Sequence, residues 1–210
     1  IGFNTASLMF VNDQWGSGIA DNFSDEFKNL GGIILDKESF LQSEKDFRTN
    51  LLKIKNNRPS VLMLSAYPDQ VGIISKQVLD LGINVQLAAY RGSIGDETIE
   101  LGGAATNNLI FLEEFDIASN RESTKRFTRT FKEKYNKNPN LFAAMGYDAY
   151  NLYVDAVKKC GESTDCIRDY FYSTKNYEAA SALITFDEKG DVLKNLGLMK
   201  IKDGKFVPYE

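Results

Sequence analysis

VLMLSAYPDQVGIISKQVLDLG, residues 61–82, runs from an apolar stretch through a polar corner into a helix. Residues 61–64 are continuously apolar, without the alternation of a half-exposed strand, and so predict a parallel strand buried on both faces. Pro68 has no backbone N–H and forces its predecessor to be extended, so the strand ends at Ser65-Ala66-Tyr67, and Asp69 is expected to cap the following helix. Val71, Ile74, Val78 and Leu81 mark one face of that helix, and Gly82 stands where it ends. Ligands of open α/β sheets bind beyond the carboxyl ends of the strands, which directs the search for function to such corners.

The pattern recurs on both sides of this stretch. Upstream, residues 6–11 read as a strand that ends in NDQWGSG (12–18) before a helix with Ile19, Phe23, Phe27 and Leu30 on one face. Gly31-Gly32 stops that helix, residues 33–35 form the next strand, and Phe47, Leu51 and Ile54 mark a second amphipathic helix leading into residue 61. Downstream, residues 84–89 read as a strand with a corner at Tyr90-Arg91-Gly92-Ser93, followed by a short helix near 98–101 and a strand at 109–112. The fold class is therefore α/β, with a doubly wound, mainly parallel sheet of about five strands.

Residues 113–121 lose periodicity and read as a linker. Helices are expected at 124–135, with Phe127, Phe131 and Tyr135; at 141–159, with a core stripe of Phe142, Met145, Ala149, Leu152 and Ala156; and near 166–172. From residue 182 the pattern is β, and Asp203-Gly204 predicts a hairpin joining 198–202 to 205–209. The expected organisation is an α/β lobe at 1–115, a helical part of a second lobe at 116–185, and a β segment at 186–210 that returns to the first. The helices between 124 and 172 have no parallel sheet of their own, and the chain opens on Ile1-Gly2-Phe3 without an initiator Met, so a processed or truncated chain lacking an N-terminal segment is expected.

Composition narrows function by exclusion. Of 210 residues, 43% are hydrophobic and 26% charged, and a net charge of −4 gives no electrostatic pull toward nucleic acid or an anionic membrane. No apolar run approaches the roughly 18–20 residues of a membrane span. Histidine is absent, which removes the commonest general base, the usual metal ligand and every Ser/His or Cys/His nucleophile. Cys160 and Cys166, in CGESTDC, are too few for a zinc site and wrongly spaced for a C-x-x-C redox motif. They are read either as a disulfide closing a short loop, in an oxidising compartment, or as two unpaired thiols. No metal and no cofactor is expected.

Taken in order, strand-NDQWGSG-helix, DFRTNLLKIKNNRPSVLML, PNLFAAMGYDAYNLYVDAV, ITFDEKGDV and KDGKFVPY resemble the periplasmic-binding-protein type I family, in its branched-chain amino acid (Leu/Ile/Val) branch of ABC transporter substrate-binding proteins. The resemblance covers nearly the whole chain. It implies two α/β lobes, no enzymatic activity, and a small amino acid-like or carboxylate ligand held in a cleft between lobes and delivered to an ABC permease in the membrane. It further implies a periplasmic or extracellular location, with a lipid anchor in some full-length forms. Against that plan the sequence lacks the first half of lobe one. A membrane receptor's ligand-binding sensor domain is the alternative on the same fold.

The resemblance also assigns site residues. Trp15 matches an aromatic of the first corner, offering a flat apolar wall and one N–H donor, or else packs beneath its neighbouring loop. In the central corner Ala66 stands where the family has a ligand-contacting Tyr, with Ser65 and Tyr67 beside it. Either the site is roomier there or Tyr67 fills the vacancy. In the third corner Tyr90 and Arg91 stand where amino acid binders place an acid. A guanidinium there pairs with a carboxylate rather than an ammonium and favours an organic acid, unless Arg91 is an exposed loop residue and Asp96 or Glu97 supplies the acid. Phe142 matches an aromatic lining the cleft from the other lobe, or begins a core stripe. Tyr147-Asp148 is read as packing and capping. Gly16-Ser17-Gly18 lacks the third glycine of a dinucleotide fingerprint, because Asp21 stands in its place, and Glu113-Glu114 is disfavoured as a catalytic pair because neighbours on an extended stretch point to opposite sides.

Overall fold

A computed structural model describes residues 2–194 and 196–209. Among these the chain divides into two compact units, residues 1–112 with 198–210, and residues 113–197.

In the first unit, β1 (Thr5–Val11), α1 (Gln14–Asn29), β2 (Ile33–Phe40), α2 (Arg48–Asn57), β3 (Val61–Ser65), α3 (Pro68–Asp80), β4 (Gln86–Ala89), α4 (Asp96–Gly102) and β5 (Ile110–Glu113) alternate along the chain. The strands β1 to β5 pair in parallel in the order 2-1-3-4-5. The continuous apolar runs have the cause inferred from them. Met9, Val11, Leu62, Leu64, Leu87 and Ala89 face Phe47, Leu51 and Ile54 beside α2 and Val71, Ile74 and Val78 of α3. The alternate residues Leu8 and Met63, with Phe10 and Ala88, pack with Ala20, Ile19 and Phe23 of α1. Both faces of the central strands are covered, so neither set is polar.

Two local expectations are corrected. Strand β2 extends to Phe40, well past residue 35, and its residues alternate in exposure because it lies at the sheet edge. An edge strand solvated on one side carries charge, and here Asp36 accepts from Ser7 Oγ at 2.8 Å while Glu38 accepts from Asn50 and Lys53. Asp69 does not cap α3. Pro68, with its fixed φ and missing donor, takes the first helical position, leaving Tyr67 as the cap residue, whose N–H donates to Gln70 Oε1 at 3.1 Å. Asp69 instead pairs with Lys45.

Residues 113–197 hold α5 (Glu122–Tyr135), α6 (Leu141–Cys160), α7 (Thr164–Ser173) and a small antiparallel sheet of β6 (Tyr177–Glu178), β7 (Leu183–Phe186) and β8 (Val192–Leu193). Because β7 pairs with β6 and β8, the return to the first unit falls at Leu198 rather than at residue 186. The buried stripe of α6 is Leu141, Ala144, Asp148, Leu152 and Ala156, so the expected stripe is rotated: Phe142 and Met145 are exposed. Buried Asp148 fixes that rotation by accepting the N–H groups of Ala180 and Ser181 at 2.6 and 2.8 Å, while Tyr147 packs on Phe127. Cys160 and Cys166 are bonded as a disulfide between the end of α6 and the first turn of α7.

The chain then adds β9 (Gly197–Lys202) and β10 (Lys205–Pro208) to the first unit's sheet beside β5, giving seven strands. Their antiparallel hairpin turns on Asp203 (φ 51) and Gly204 (φ 71), the pair of left-handed residues that a two-residue type I′ turn requires.

Candidate functional site

In the 2-1-3-4-5 order the connections from β1 and β3 leave in opposite directions, so the loops at their carboxyl ends part at the boundary between the two strands. A crevice at such a switch point is the general ligand position of doubly wound sheets. The loops concerned are Asn12-Asp13-Gln14-Trp15 after β1 and Ala66-Tyr67 after β3, with Tyr90 to Ser93 next along the sheet.

The structure brings three aromatic rings together there. Trp15 stacks on Tyr67 with centroids 5.3 Å apart and planes inclined by 17°, and Tyr90 meets Trp15 edge-on at 6.2 Å. Trp15 and Tyr67 are half-buried against the core beneath, and Tyr90 is 38% exposed, so the cluster is an apolar wall with an open side. Two glycines permit the approach. A Cβ on Gly16 would lie 2.3 Å from the Val11 carbonyl oxygen, and one on Gly92 would lie 2.9 Å from the Tyr90 ring and 3.6 Å from Trp15. Asp13 ties the first two corners together: Oδ1 accepts the Gly16 N–H at 2.7 Å and caps α1, while Oδ2 accepts the Tyr67 hydroxyl at 3.0 Å. That hydrogen bond, then burial and the adjacent negative charge, raises the Tyr67 pKa above its ordinary value.

Other expected site residues lie beneath this surface. Ser65 is buried and donates to the Gly16 carbonyl at 3.0 Å, and Ala66 is buried with its N–H donating to Ser93 Oγ at 3.3 Å. Tyr67 turns toward the first corner, stacking on Trp15. Arg91 is not an exposed loop residue. At 9% exposure its guanidinium sits 5.6 Å from the ring centroids of both Phe111 and Phe206 and donates to the Ile94 carbonyl at 2.8 Å. As placed, it braces the third corner from within. Phe142 belongs to the second unit, where it is 66% exposed in the first turn of α6.

Sequence reading missed Asp13 and Ser93. Asp13 was detectable as an Asp immediately before an amphipathic helix, the signature of a cap, but its bond to a tyrosine 54 residues away has no local signal. The acidic pair Glu113-Glu114 performs structural work: Glu113 accepts the N–H groups of Glu114 and Phe115, and Glu114 pairs with Lys194 at 2.8 Å. Among the described residues no cluster of His, Cys, Asp or Glu is arranged to hold a metal ion, and no helix is long and apolar enough to cross a membrane.

A doubly wound sheet with an aromatic cluster at its switch point has the geometry at which such folds place small ligands. The sequence matches the family model for periplasmic binding proteins over residues 2–205, and the chain belongs to that family. It is 26% identical over 200 residues to the Leu/Ile/Val-binding protein homolog 3 of Brucella melitensis, covering 93% of this chain and 54% of that protein. It is 22% identical over 191 residues to a leucine-, isoleucine-, valine-, threonine- and alanine-binding protein of Pseudomonas aeruginosa, covering 91% and 51%. Among solved structures, the leucine binding protein LivK from Thermotoga maritima superposes with a TM-score of 0.90 at 28% identity, covering all of this chain and 60% of that one. LivJ from Streptococcus pneumoniae, solved with isoleucine, gives 0.81 at 26% identity, covering 97% and 58%. The chain thus spans about half the length of the curated relatives it matches. These relatives are binding proteins rather than enzymes, in keeping with the noncatalytic reading of the sequence.

Proposed function

We propose that this chain is part of an extracytoplasmic solute-binding component of an ABC transporter, and that its first unit supplies one wall of the site for a small amino acid-like ligand. The observation that carries the reading is the Trp15, Tyr67 and Tyr90 cluster at the carboxyl ends of β1, β3 and β4. Stacked rings offer rigid apolar area at small entropic cost, and the polar groups at their margin orient a ligand that has one charged end. Ligand enclosed by a second lobe binds the closed state better than the open one and shifts the hinge equilibrium toward closure, which a membrane permease then recognises.

Burial of Arg91 between two rings withdraws support from a ligand chosen by that guanidinium, so an amino acid-like solute is preferred over a plain organic acid. Phe142, which the family resemblance places opposite, remains in the proposal as a contact from the second lobe. The test is a thermal-shift screen of the full-length protein against amino acids, aromatic acids and dicarboxylates, repeated with Trp15→Ala. A ligand whose stabilisation survives Trp15→Ala unchanged removes this corner from the site. The 210-residue chain alone is expected to bind weakly or not at all, and micromolar binding by it would contradict the one-wall reading.

A further inference from the structure

Asp13 holds charge that the aromatic wall does not use. It is half-exposed, and its carboxylate spends one acceptor position on the Gly16 N–H and one on the Tyr67 hydroxyl. A carboxylate offers about four such positions, so two remain. Asp21, Glu38 and Asp69 of this unit pair with Lys37, Lys53 and Lys45, whereas Asp13 is one of its acids with which, among the described residues, no Lys or Arg forms an ion pair. The start of α1 carries a charge of roughly +0.5, less than the full negative charge of the carboxylate, and the N–H nearest to Asp13 is already capped. Asp13 therefore adds negative charge at the margin of the stacked rings, whose outer faces attract cations in their own right.

We propose that Asp13 is the counter-ion for a ligand's ammonium group, held in place by the Tyr67 hydroxyl, with the Trp15 and Tyr67 rings taking the ligand's apolar part. This rests on the corner being a ligand wall. The ligand class it selects is a primary amine with an apolar body, such as an α-amino acid. Tyr67 is a positioning residue in this arrangement: its hydroxyl fixes Oδ2 and leaves the carboxylate further acceptor positions. The acid arises in the first corner, and Arg91 in the third is a brace.

Trp15 lies in this corner, so a change in its fluorescence reports on it. The full-length protein and its Asp13→Asn and Tyr67→Phe variants are titrated into the millimolar range with two pairs of probes: L-leucine with 4-methylpentanoate, and L-phenylalanine with 3-phenylpropanoate. Each pair differs by the ammonium. Asn keeps an acceptor for the Gly16 N–H and is itself a preferred cap, so the fold is retained. Asp13→Asn is expected to weaken the amino acids about ten-fold or more, the scale of a hydrogen bond to a charged group, and not to weaken the des-amino acids. Tyr67→Phe is expected to weaken the amino acids by a smaller factor in the same sense. Equal amino acid affinity in Asp13→Asn and the parent, or a parent that prefers the des-amino acids, overturns the assignment of Asp13 while leaving the corner as the ligand wall. A parent whose Trp15 responds to neither member of either pair overturns the ligand wall and this inference with it.

Discussion

Replacing both Cys160 and Cys166 with Ser tests how the second unit is held together. Helix α7 has no fully buried residue, so little apolar area fixes it, and the disulfide to α6 is its covalent restraint. The bond spans a sequence separation of 6, a loop of about seven residues, for which chain-entropy arguments give a restraint of ~8 cal/mol/K on the unfolded chain, or about 2.4 kcal/mol at 25 °C. A chain of this size loses roughly 2–4 °C of Tm for each kcal/mol, so the double Ser variant should melt about 5–10 °C lower. Reducing agent should lower the parent to the same value and leave the variant unmoved. The assay is thermal unfolding followed by circular dichroism, with and without reductant, at matched pH. Because the effect lies in the unfolded state, the folded spectrum at 20 °C should not change (about 20 °C being near the usual stability maximum). A variant within about 0.5 kcal/mol of the parent would refute the reasoning, since it would place α7's restraint in packing such as the Phe171 and Phe186 stack instead.

Three further outcomes are expected. Gly16→Ala drives a Cβ into the Val11 carbonyl and Val11 Cγ1 at 2.3 and 2.5 Å, so it should cost about 1–3 kcal/mol in denaturant unfolding and shift Trp15 emission. Arg91→Ala removes a buried guanidinium and leaves the Ile94 carbonyl without that donor, which should lower stability by about 1.5–3 kcal/mol; an unchanged Tm alongside lost ligand binding would restore Arg91 to direct contact. Burial, then the bond to Asp155, pushes the Tyr177 hydroxyl up to about 12. A raised folded value favours the neutral phenol, so this stabilisation is complete below the unfolded value of 10.0 and is lost as pH rises toward 12. Stability measured across that alkaline range should fall less steeply in Tyr177→Phe, and an identical slope would remove Tyr177 as the cause.

What the sequence determined by itself is the part of the structure that short stretches encode. Continuous apolar runs at β1 and β3 specify strands covered on both faces, Pro68 ends a strand, and Asp203-Gly204 specifies a hairpin turn, because each depends on backbone preference and side-chain period within a few residues. The edge strand β2 was only half legible, since its outer residues answer to solvent and not to a core. The tertiary structure alone decided which side chains meet. Strand order 2-1-3 sets Tyr67 upon Trp15 and hands the Tyr67 hydroxyl to Asp13. The added hairpin brings Phe206 against Arg91 and so helps bury a residue that reads from the sequence as a ligand contact. Those meetings join residues dozens of positions apart, and their energy depends on distance in space, for which the linear order of the chain holds no local record.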